Sequence, residues 1–136
     1  MKNNFLQQRG HYKKLIVYQK AECIYDITFY FAHKYLTKGD RTIDQMIQAA
    51  RSGKQNIAEG SAASSTSKET EQKLTNVAKA SLQELLADYE DYLRVRNLEL
   101  WEVNSTKAIR TREVCKKHCD SEFFRKAITV RSDETI

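Results

Sequence analysis

The sequence predicts an all-α chain, an up-and-down antiparallel helical bundle with three clear long helices and a weak or truncated fourth. Three observations carry this. The 136 residues contain no proline and only four glycines, far below ordinary usage, so tight turns are few. Apolar residues recur at three- and four-residue spacing over long stretches, the period of one helix face. One such stretch, ending near Asn97, runs for about 30 residues, which at 1.5 Å per residue is some 45 Å. Only an elongated bundle accommodates that length. A single domain of this size has a modest core and is short for a two-domain enzyme.

The order of elements follows from the pattern. Residues 1–11 are expected to be a flexible N-terminus, residues 12–99 the bundle core, and residues 100–136 a basic segment with a short helix or extension. The first helix is predicted over Tyr12 to Thr37. Val17, Ala21, Ile24, Thr28, Phe31 and Tyr35 form one stripe, Tyr25, Phe29, Ala32 and Leu36 a second, and Ile16, Cys23, Ile27 and Tyr30 a third. Only Gln19, Glu22, Asp26 and His33 form a plainly polar strip. A surface helix in a small monomer needs one apolar face, so the excess has two readings. Either a second face meets another subunit or protein, with Tyr25, Phe29, Tyr30 and Leu36 as the interface candidates, or the helix is central in its own bundle.

Gly39-Asp40 breaks the chain, and a second helix is predicted from Asp40 or Thr42. It carries Ile43, Met46, Ile47, Ala50, Ile57 and Ala58 and is expected to end at Gly60, the residue type that accepts a left-handed cap. SAASSTS then reads as a polar loop. Thr66 and Glu69 match the capping-box spacing, which starts the third helix there. Leu74, Val77, Ala78, Ser81, Leu82, Leu85, Leu86, Tyr89, Tyr92 and Leu93 give that helix one wide apolar face. After Trp101 the pattern weakens to a shorter helix or a helix and a turn. Ser132-Asp133-Glu134 resembles a helix start with no helix after it.

The chain carries a formal charge of +5. Residues 1–65 hold 10 basic and 5 acidic side chains, residues 66–104 hold 5 and 8, and residues 105–136 hold 8 and 5. Basic ends around an acidic middle favour self-assembly as readily as nucleic acid. Residues 1–14 lack the apolar run of a signal peptide, and no stretch has the length of a membrane span. Three cysteines form no disulfide framework, which fits a reducing cytoplasm.

The candidate chemistries fail one after another. Ser52-Gly53-Lys54 invites a phosphate-binding loop, but that loop needs a glycine where Gln48 stands and a hydroxyl where Gln55 stands. It must also follow a strand, and IDQMIQAA has helical spacing. Cys115, His118 and Cys119 have soft-ligand spacing, yet no fourth ligand has a partner at metal spacing, so buried thiols beside a surface histidine are expected. Glu84, Asp88 and Asp91 share one side of the third helix, without the Glu-x-x-His pairs of a bundle di-iron site. They read as a solvated face or as counter-charges. Three scattered histidines define no acid–base site. The basic residues remain: Lys13, Lys14 and Lys20 near the first helix, Arg51 and Lys54 on the second, and Arg110, Arg112, Lys116, Lys117, Arg125 and Lys126 in the last segment.

AARSGKQNIAEGS at residues 49–61, followed by AKASLQEL at residues 78–85, resembles the bacterial four-helix bundle family, also named for the 23S ribosomal RNA intervening-sequence protein. The family's hallmark is an Asn-Ile-Ala-Glu-Gly stretch closing the second helix, here Asn56 to Gly60, with small-Ser-Leu-x-Glu-Leu on the third, here Ala80 to Leu85. The opening YKKLIVYQKAECIYDITFYF is similar to the family's first helix, and the resemblance covers residues 12–96. It implies helices assembling into a homo-oligomeric ring, typically a pentamer, with no catalytic residue and no cofactor. A similar protein is the basic accessory factor of diversity-generating retroelements, which binds a reverse transcriptase and its RNA.

Carried over, Asn56, Glu59, Ser81 and Glu84 are the matched polar positions, expected to form a structural network between helices two and three, since a polar group on a core face must be bonded. Two departures stand out. The family usually has a proline before the Asn, where this chain has Gly53-Lys54-Gln55, a change expected to relieve a kink and keep some flexibility at about 1 kcal/mol. Beyond Arg96 the chain looks more like longer variants in which the last bundle helix follows an insertion, so a missing last helix is expected. The combined expectation is a cytoplasmic, non-enzymatic assembly protein with no membrane partner and no small-molecule substrate. It binds RNA, or an RNA–protein complex such as a reverse transcriptase, through Lys13, Lys14, Arg51 and Lys54. The alternative is a protein–protein scaffold built on the aromatic first helix.

Overall fold

A computed structural model describes residues 12–118, 121–133 and 135–136. Among them all regular structure is helical: a 3-10 turn, Tyr12–Lys14, then α1 (Ile16–Tyr35), α2 (Arg41–Ala63), α3 (Lys68–Val95), α4 (Thr106–Lys117) and α5 (Ser121–Val130). The all-α bundle expected from the apolar periodicity is what forms. Residues 1–11, expected to be flexible, lie outside the described residues.

Local chemistry sets each boundary. α1 stops at Leu36, and Gly39 takes φ +93°, a left-handed turn that glycine enters without strain. Asp40 caps α2 by accepting the Thr42 backbone N–H at 2.9 Å, and these bonds hold its carboxyl below its ordinary pKa. α3 ends in a Schellman motif around Asn97, which sits at φ 57°. The Leu98 amide donates to Leu93 O (2.9 Å) and the Asn97 amide to Arg94 O (3.2 Å). Leu98 then folds back onto the core.

The expected boundaries shift in three places. α1 proper begins at Ile16, after the 3-10 turn, rather than at Tyr12. α2 runs through Gly60 to Ala63, because Gly60 faces α3, where it meets Leu74 and Glu71, and does not cap the helix. The α3 cap is Ser67, whose Oγ accepts the Thr70 N–H at 3.1 Å, one residue after the expected Thr66. Thr66 instead donates to Ala63 O at the end of α2.

Packing follows side-chain size. α2 buries a stripe of small residues, with Ala49, Ala50, Gly53 and Gly60 among them, so α2 and α3 lie close and antiparallel along most of their length. α1 also packs on α2, and α5 packs on α1. Between α1 and α3 the gap is filled by rings, with the Phe31 centroid 5.0 Å from both Tyr89 and Tyr92. Phe31, Ala32, Leu36, Met46, Ala49, Ala50, Leu85 and Tyr92 form the core. Thr28, fully buried, meets its one polar demand through the Tyr89 hydroxyl at 2.8 Å.

Two apolar faces are wider than their partners. Ile16 and Val17 at the start of α1 are 70% and 57% exposed, and Leu86 on α3 is 57% exposed. The last segment, expected as one short helix or extension, supplies two. Two lysines of α1 fasten them: Lys20 Nζ donates to Cys115 O and, at 3.4 Å, to His118 O, while Lys34 Nζ donates to Ile128 O (3.0 Å) and Thr129 O (3.4 Å). Both ammonium groups therefore sit on the last carbonyls of α4 and α5, where the helix dipole favours a cation.

Candidate functional site

The four basic residues singled out from the sequence sit in three different settings. Lys13 and Lys14 are exposed on the 3-10 turn at the start of α1. Lys54 leans over the Tyr25 ring, its Nζ 4.5 Å from the centroid, which half-buries the ammonium stem and spends its charge on the ring face. Arg51 lines a shallow hollow with Asp44, Glu59 and Glu84, so its neighbourhood is acidic.

The polar positions of α2 and α3 are bridged by a residue the motif comparison left out. Ser52 Oγ lies 2.8 Å from Ser81 Oγ, and Asn56 Nδ2 donates to Ser52 O (2.8 Å) and Ser52 Oγ (3.1 Å). Asn56 and Ser81 are thus joined through Ser52. Glu59 and Glu84 are exposed at the rim of the same hollow and take no hydrogen bond in this network. Asp88, one turn beyond Glu84, departs from the expected solvated face. Its Oδ2 is buried with no hydrogen-bond partner among the described residues. Burial, then the charges of Glu84 and Asp91, push its pKa up.

The interface candidates separate as well. Leu36 is 7% exposed and belongs to the chain's own core, which removes it from any oligomer surface. Tyr25 is half-buried beneath Lys54. Phe29 and Tyr30 remain exposed at 40% and 39%, with ring centroids 5.5 Å apart and nearly perpendicular. The His33 ring lies tilted against Phe29, with centroids 4.5 Å apart.

Tertiary structure brings other cations to this aromatic pair. Tyr30 borders a hollow of about 280 Å³ with Lys34 of α1 and Arg125 and Lys126 of α5. The periodicity of α1 pointed to Tyr30, and the charge count pointed to Arg125 and Lys126, but they are some 95 positions apart in the chain. Nothing local in the sequence connects them; the docking of α5 on α1 does.

Among the described residues no group of three or more His, Cys, Asp and Glu side chains is placed to hold a metal. Cys115 is half-buried, and His118 stacks flat on Phe123 at 3.8 Å; Cys119 lies outside the described residues. Ser52-Gly53-Lys54 sits inside the continuous helix α2, so its amides face helical carbonyls and cannot cradle a phosphate. Burial pushes the Tyr89 phenol up to about 12, and burial with the Asp133 carboxylate does the same for Tyr92, so both stay neutral near pH 7. No described helix is long and apolar enough to cross a membrane. Comparison of the chain with family models, with curated proteins and with solved structures returns no match.

Proposed function

We propose that this is a non-enzymatic bundle protein of the four-helix bundle type that binds single-stranded RNA, alone or within an RNA–protein complex such as that of a reverse transcriptase, in the cytoplasm. The supporting observation is the Tyr30 hollow. An exposed ring flanked by Arg125 and Lys126, with Lys34 beside it capping α5, offers a stacking surface for an unpaired base and cations for the flanking phosphates. Phe29 extends the ring surface, and Lys13 and Lys14 add exposed charge elsewhere on the molecule. Fluorescence anisotropy with a labelled single-stranded RNA tests the reading. Affinity should fall steeply with salt, and Arg125→Glu with Lys126→Glu should lower the log–log salt slope by roughly 1.4, at about 0.7 per phosphate contact. Tyr30→Ala should weaken binding by about 1–3 kcal/mol without changing that slope. RNA affinity indifferent to all three changes would overturn the assignment.

A second reading is self-assembly, including the pentameric ring implied by the family resemblance. It is favoured by the uncovered Ile16 and Val17, 70% and 57% exposed at the head of α1. Light scattering after size exclusion distinguishes it: an oligomer that dissociates on Val17→Glu uses this face, and a monomer at high concentration does not.

A further inference from the structure

A second hollow, about 450 Å³, opens between α4, α5 and the chain that follows α5. That is within the size range of small-ligand pockets. Ile27 of α1, Val114 of α4 and Phe123, Phe124 and Ile128 of α5 give it an apolar lining. Lys107, Arg110 and Arg131, all exposed, also line it, and no Asp or Glu is among its described lining residues.

Two nearby carboxylates have partners of their own. Asp133 accepts the Tyr92 hydroxyl at 2.7 Å, and Glu122 pairs with Lys126 at 3.3 Å. The cations keep donors to spare. Arg131 spends one N–H on Ala127 O at 3.4 Å, and Lys107 stands 5.5 Å from the Trp101 ring centroid. A guanidinium carries five N–H donors in a fork that matches a carboxylate. An apolar recess whose described lining side chains include three cations and no acid has the two halves of a site for an amphipathic anion.

We propose that this hollow binds a small amphipathic carboxylate, its aliphatic or aromatic body against Val114, Phe123 and Phe124 and its carboxylate held by Arg110 and Arg131. The site shares only the buried Ile128 with the described lining of the Tyr30 hollow and none of its cations, so it is tested independently of RNA binding.

Titration calorimetry with octanoate and 1-octanol, which share a chain length and differ in the head group, tests it on the full chain. Octanoate should bind saturably at one site and at least ten-fold more tightly than octanol. Arg110→Gln with Arg131→Gln should reduce octanoate to the octanol affinity; both positions are exposed, so helicity measured by circular dichroism should not change. Ala127→Phe, at a half-buried lining position, should abolish binding of both compounds by filling the recess. Absence of saturable octanoate binding, equal affinity for the two compounds, or octanoate binding that survives the arginine changes would each overturn the proposal.

Discussion

A Cβ added to Gly53 would stand 2.7 Å from Leu82 Cδ2 and 2.8 Å from Leu82 Cγ. Glycine at this position therefore meets a packing requirement between α2 and α3. Gly60 differs, because its added Cβ would meet nothing closer than 3.5 Å, an ordinary contact. Alanine gains about 1 kcal/mol over glycine inside a helix, while forced overpacking costs about 1–3 kcal/mol. Gly53→Ala should therefore lower the thermal midpoint, and Gly60→Ala should raise it by a few degrees. Thermal circular dichroism checks both; equal shifts of the same sign would mean that Leu82 does not constrain Gly53.

Thr28 and Tyr89 supply a second test. Their hydroxyls, 2.8 Å apart, tie α1 to α3 where no closer backbone approach exists. Thr28→Val leaves the largely buried Tyr89 hydroxyl without its partner and should cost about 1–3 kcal/mol. Adding Tyr89→Phe should recover part of that loss, because both unsatisfied groups are then gone. Urea denaturation of the two single variants and the double variant measures the coupling; strict additivity would show that the bond contributes nothing.

Asp88 gives stability a dependence on pH. Its pKa is raised in the folded chain, so the folded state holds the proton more tightly than the unfolded state. The resulting penalty is absent below the ordinary carboxylate range and complete above the raised pKa, which means stability falls as pH rises through that window. Asp88→Asn should then raise the thermal midpoint at pH 7 and leave it nearly unchanged at pH 3.5. An equal shift at both pH values would assign the effect to shape rather than charge.

Lys34 should control how firmly α5 is held. Its ammonium caps the last carbonyls of α5, an interaction worth about 0.3–1 kcal/mol. Lys34→Met should raise amide exchange over residues 121–130 roughly two- to five-fold, with α2 and α3 unchanged. Uniform loss of protection across the chain would show that α5 opens only with the whole bundle.

The sequence alone determined the helical class, because absent proline, scarce glycine and sustained helical periodicity are local properties that each residue reports by itself. It also located α1, α2 and α3 to within a few residues and marked Ser81 and Asn56 as polar positions needing partners. It could not say that Ser52 bridges them, since a side chain pointing into a neighbouring helix has no distinguishing pattern in one dimension. Gly53 and Gly60 look alike in sequence, and both lie inside α2; only the closeness of Leu82 separates their roles. The tertiary structure likewise decided that Leu36 is core, that Lys20 and Lys34 cap α4 and α5, and that Lys54 leans on Tyr25 while Arg51 stands among acids. The Tyr30 hollow is of the same kind. Charge and aromatic content are written along the chain, but a site exists only where packing brings distant segments within a few ångströms.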